Sequence, residues 1–139
     1  MSDPTIVQPT NRVISQARTL VVQAPAPQAV TQLTASAAAV YTAPNPSTSP
    51  LPITRAILYQ ITVSNTDSSA RSVTFYLVPS GGSAAPSNII VPTMSIPATT
   101  LWVIDFGGKG IPMVNGSTLQ GKASVTLVVN CVPTVDEFN

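Results

Sequence analysis

The chain has 139 residues, enough for one domain with a sizeable core or a smaller domain carrying an arm. Six Lys+Arg, five Asp+Glu and no His give a net charge of +1, which suggests neither a nucleic-acid nor an anionic-membrane partner. The 14 prolines and the abundance of Thr, Ser and Val disfavour long helices, so the composition reads as all-β.

Residues 1–10, MSDPTIVQPT, show no periodic pattern and predict an extended start. Residues 12–23, RVISQARTLVVQ, fit either a helical stripe (Val13, Ala17, Leu20, Val21) or a strand at TLVVQ. Pro25 and Pro27 favour the strand, because the residue before a proline avoids the helical region. Pro25-Ala26-Pro27 is a stiff spacer. Small side chains over residues 28–43 predict one strand ending near Tyr41, and Pro44 to Pro50 reads as a loop. Residues 1–50 are therefore expected to form an extended Pro/Ala/Thr-rich arm with one or two strands, and residues 51–139 a β-sandwich domain.

The most regular stretch runs from Ile57 to Gly82. Ile57, Tyr59, Ile61 and Val63 alternate with Gln60, Thr62 and Ser64, and Val73, Phe75 and Leu77 alternate with Ser72, Thr74 and Tyr76. Asn65-Thr66-Asp67-Ser68-Ser69 lies between them, so the pattern predicts an antiparallel hairpin. Pro79 to Ser83 predicts a turn, and Ile89–Val91 a short strand stopped by Pro92. In Thr99–Phe106 both faces are apolar, which fits a central strand covered on both sides or a face held against another subunit. Gly107 to Gly110 and Asn115-Gly116 are turn signals. A last strand pair is expected over Thr118–Val132, ended by Pro133 and followed by an acidic tail. Roughly six to eight strands with closely spaced turns indicate an antiparallel β-sandwich or jelly roll.

Chemistry is sparse. With no His there is no Ser-His nucleophile system, and no cluster of zinc ligands is evident. A glycosidase pair would have to come from Asp67, Asp105, Asp136 or Glu137, but Asp67 reads as a turn cap and Asp105 as a strand end. A Trp102–Asp105 sugar platform is the sharper alternative. Gly107-Gly108-Lys109-Gly110 lacks the spacing of a phosphate loop, and Asn115-Gly116-Ser117 matches a glycosylation acceptor by chance. Cys131, the single cysteine, lies in an apolar run and reads as a buried, inert thiol. No run approaches the roughly 20 apolar residues of a membrane span, and the start lacks a signal-peptide pattern. The expectation is a non-enzymatic protein without cofactor or metal, made in a cytoplasm, with no membrane or nucleic-acid partner. Tyr41, Tyr76, Trp102 and Phe106 are its candidate interface residues, a core position being the stronger reading for Trp102.

Within Ile61–Val129, an Asn65-Thr66-Asp67 turn leads into the strand TFYLVP and a small-residue loop. SIPA, an aromatic strand and GSTLQGKA follow before the last strand. This order of features resembles a group of small β-sandwich structural proteins of tailed-phage virions. The resemblance implies a virion component, with a capsid decoration or cement protein as the leading reading. Its expected partners are the major capsid protein or another virion protein, and further copies of itself, a trimer being the first guess. A neck, tail or fibre-attachment protein, or a host-glycan binding module, is the alternative.

Overall fold

The computed structural model describes residues 25–45 and 55–138. Among these residues ten strands appear in chain order: β1 (Ala26–Pro27), β2 (Thr31–Gln32), β3 (Ala38–Thr42), β4 (Arg55–Asn65), β5 (Arg71–Val78), β6 (Ile89–Ile96), β7 (Leu101–Asp105), β8 (Ile111–Met113), β9 (Thr118–Ala123) and β10 (Val129–Phe138). They form two antiparallel sheets. In the first, β10 and β4 are central, β1 and β2 flank β10, and β7 and β8 flank β4; the second has the order β3-β9-β5-β6. An all-β sandwich is thus the fold. The expected readings of residues 1–10, 12–23 and most of the 44–50 loop lie outside the described residues.

The core fills the space between the sheets. Leu58, Ile61, Val63, Val129 and Cys131 come from the first sheet, and Val73, Phe75, Val91, Ile96 and Leu119 from the second. Leu33 and Tyr41 join the same core, so residues 26–42, which composition places in an arm, supply three strands of the sandwich. Gly121 on β9 leaves the room that Phe75 and Leu33 occupy. A Cβ there would stand 2.8 Å from carbon atoms of both.

Ile57–Gly82 does not form a hairpin. Its two alternating runs are β4 and β5, which lie in different sheets, and residues 66–70 arch between them. Alternation fixes which face of a strand is buried but does not name the strand beside it. The expected final strand pair fails for the same reason: β9 and β10 also sit in different sheets. The face assignment is corrected in β4 as well. Gln60 pairs with Thr134 but Leu58 with Val135, so Tyr59 is an extra residue that reverses the alternation. Ala56 and Leu58 therefore point inward with Ile61 and Val63, leaving Ile57 and Tyr59 half-buried.

Two prolines expected to end strands lie inside them. Pro92 sits in β6, an edge strand where a missing N–H is tolerated. Pro133 sits in β10, and its carbonyl accepts from Gln28 N at 2.8 Å, so its lost donor faces the β1–β2 side. The gap between β1 and β2 falls opposite that point. Turns at Gly107–Gly110 and Val114–Ser117 close with hydrogen bonds of 3.0 and 2.9 Å, and Gly116 has φ +73°, as the third position of a type II turn requires.

One end of the sandwich is tied by Asn65. Its side chain is almost fully buried; Nδ2 donates to Ser69 O at 2.9 Å, Ile96 O at 3.1 Å and Pro97 O at 3.0 Å, while Oδ1 accepts from Asp67 N at 3.0 Å. The β4–β5 arch is thereby joined to the chain passing from β6 to β7. Thr66 adds the 124–128 link, donating through both N and Oγ1 to Val128 O at 2.9 Å.

Candidate interface

Strand β7 is an edge strand, so of the two readings of its apolar faces the central strand covered on both sides is not the one adopted. It pairs with β4 from Gln60↔Asp105 to Ser64↔Leu101, and among the described residues no strand pairs its other side. Phe106 N donates to Tyr59 O and Asn65 N to Thr100 O, each at 2.9 Å. Hydrogen-bonded pairs alternate along an antiparallel ladder, so Thr100, Trp102, Ile104 and Phe106 direct their backbone groups at β4. Leu101, Val103 and Asp105 therefore turn theirs to the free side.

The first three side chains of this edge are apolar and, among the described residues, uncovered. Leu101 is 63% exposed, Trp102 44% and Val103 46%. Trp102 and Ile104 lie opposite the core residues Val63 and Ile61, so they share the inner face; Leu101, Val103 and Asp105 share the outer face. Soluble proteins usually protect such an edge with Lys, Pro or a covering loop. Strand β7 carries no proline or lysine, whereas β6, an edge of the other sheet, carries Pro92.

The four expected interface aromatics do not converge. Trp102 lies on the inner face of β7, and Phe106, just past the strand's end, is half-buried against the core. Trp102 is exposed at the sheet margin instead of packed in the core. Tyr41, on β3 of the other sheet, is buried and donates its hydroxyl to Glu137 Oε1 at 2.5 Å. Burial, followed by that hydrogen bond, holds its phenol well above the ordinary value of 10.0. Tyr76 is buried too, with Lys122 Nζ 5.9 Å from its ring centre. Leu101 and Val103 complete the exposed patch. Their place in the TTLWVIDF run was legible, but their exposure depends on the absence of a neighbour, which alternation does not report.

Of the four candidate carboxylates, Asp67, Asp105 and Glu137 have structural partners. Asp67 caps its own arch, accepting from Ser69 N at 3.3 Å and from Arg71 Nε at 2.6 Å. The Arg71 guanidinium holds the Asp67 carboxyl below its ordinary value. Asp105 accepts from Gly107 N at 2.6 Å. It lies on the opposite face of β7 from Trp102, so the two do not form a platform. Glu137 points inward to Tyr41, while its neighbour Asp136 faces the other way, buried with Oδ1 unpaired. No group of three or more His, Cys, Asp or Glu side chains able to hold a metal occurs among the described residues. Cys131 is buried, and burial pushes its thiol up to about 12.

Elsewhere, a polar hollow of about 240 Å³ lies between β5, β6 and β9, lined by Ser72, Thr74, Thr93, Lys122 and Ser124. Its Thr74 and Thr93 hydroxyls bond each other at 2.8 Å. No family model matches the chain, and neither a curated protein nor a solved structure matches it.

Proposed function

We propose that the chain is a structural subunit of a tailed-phage particle, a decoration or cement protein that stabilises the head lattice and performs no catalysis. The observation that carries this reading is the outer edge of β7, where three consecutive large apolar side chains stand beside backbone groups that no strand among the described residues pairs. Another chain laid along it would gain ladder hydrogen bonds and cover apolar surface, at about 25 cal/mol per Å² covered. The near-neutral charge supports a surface meant to be covered rather than one kept apart by repulsion. The resemblance of Ile61–Val129 to phage virion proteins supports the setting.

The mechanism is linkage. A subunit that binds the mature lattice, and not its disassembled parts, stabilises the lattice by mass action. The test is co-sedimentation of purified protein with mature shells stripped of it. Saturable binding over the whole shell, with a shell more resistant to heat, is the expected result. Binding confined to one vertex would move the subunit to the neck or tail, and no binding would overturn the reading.

A further inference from the structure

We infer that β7 pairs antiparallel with β7 of a second copy of this chain, centred on Trp102, so that the first sheet runs through a two-fold dimer. The inference rests on the reading of this edge as a contact surface, and it names the occupant and the register.

The strand is complementary to itself in that register. Leu101 falls opposite Val103 of the second copy, and Val103 opposite its Leu101. All four residues turn their backbone N–H and C=O groups outward, so each pair exchanges two hydrogen bonds, as an antiparallel ladder requires. On the outer face both pairs are apolar against apolar. On the inner face the two Trp102 side chains, each 44% exposed in one chain, meet as the closer, non-hydrogen-bonded pair. Asp105 falls opposite Thr99, whose φ of +49° places it outside the strand, so no carboxylate is set against an apolar side chain.

The neighbouring registers match less well. Centring the pair on Val103 sets each Leu101 against an Asp105 carboxylate, and centring it on Ile104 sets each Val103 there instead. Centring it on Leu101 sets each Trp102 against Thr100. Two copies also meet without strong repulsion, since each carries a net charge of +1. Such a contact uses the same patch on both copies and closes at two.

The test uses full-length protein. Light scattering over a concentration series should show native chains passing from monomer to dimer. Val103→Lys, an exposed substitution that puts a charge on the edge, should weaken dimerisation by about tenfold or more. Cysteine substitution reads the register. Under a mild oxidant Trp102→Cys should form a covalent dimer, because its Cβ atoms stand about 4.5–5.5 Å apart across the two-fold. Val103→Cys should not, because two residues at position 103 are diagonal neighbours about 7–8 Å apart. Native protein, whose Cys131 is buried, should not cross-link either. A covalent dimer of Val103→Cys but not of Trp102→Cys would overturn the inference. A native protein that stays monomeric up to about 1 mM, or a Val103→Lys variant that dimerises like the native, would overturn it as well. So would protection of the Leu101 and Val103 amides in dilute monomer, which would show the edge covered within one chain. Cross-linked dimers without shell binding would remove the cement reading alone; shell binding without cross-linking would remove only the self-pairing.

Discussion

Replacing Asn65 with alanine separates an arch between sheets from a hairpin tip. In the arch, two amide hydrogens of Asn65 serve three carbonyls, and the bond to Ile96 O is fully buried. A net hydrogen bond contributes about 1 kcal/mol, and a buried group left without a partner costs about 1–3 kcal/mol. Ile96 O keeps its ladder pairing with Arg71, so losing the Asn65 bonds to Ser69, Ile96 and Pro97 and the one from Asp67 N should cost about 3–4 kcal/mol. At roughly 3–4 °C per kcal/mol for a chain of this size, melting should fall by about 10 °C or more. Thr66→Ala, which removes one exposed side-chain bond to Val128 O, should cost about 1 kcal/mol. Urea denaturation followed by circular dichroism gives both values. An Asn65→Ala cost within about 0.5 kcal/mol of zero is what a solvated turn residue would give, and it would refute the arch.

Gly110 has φ +60°, and a Cβ there would stand 2.7 Å from Leu58 O and 2.5 Å from Ile57 Cγ2, so Gly110→Ala should cost about 2–4 kcal/mol in urea denaturation. Gly108→Ala, whose Cβ meets nothing within 4 Å, should stay within about 0.5 kcal/mol of native. The Asp67 carboxyl is held below its unfolded value, so its pairing with Arg71 stabilises the fold above that value and is lost as pH falls through the folded one. The melting-temperature gap between native protein and Asp67→Asn should accordingly be present at neutral pH and close well below 3.8; a gap unchanged by acid would contradict the assignment.

The strands themselves were largely legible, because Ile61 and Val63 or Val129 and Cys131 alternate with less buried neighbours as half-buried strands must, although β5 departs from this by burying Thr74 and Tyr76 along with Val73 and Phe75. Their partners were not. Asn65 to Ala70 carries ordinary turn residues, and nothing local distinguishes a turn within a sheet from an arch between two; Ser124 to Val128, SVTLV, reads instead as continuing strand, yet it is the link between β9 and β10. Tyr59 escaped notice because one inserted residue reverses alternation without changing composition. Pro92 and Pro133 misled because a local breaker is harmless where its missing N–H faces an edge or a gap. At the candidate interface, the apolar character of Leu101–Ile104 was plain, but a central strand and an uncovered edge share that pattern. Tyr41 and Tyr76 were chosen by residue type alone, and packing buries both.

Amide exchange along β7 tests most directly whether this edge joins other chains. In dilute, monomeric protein, Trp102 and Ile104 should be protected by β4 while Leu101, Val103 and Asp105 exchange freely. In the assembled state, whether oligomer or shell-bound, those three amides should become protected. If they still exchange freely while protection appears elsewhere, β7 is not the contact surface.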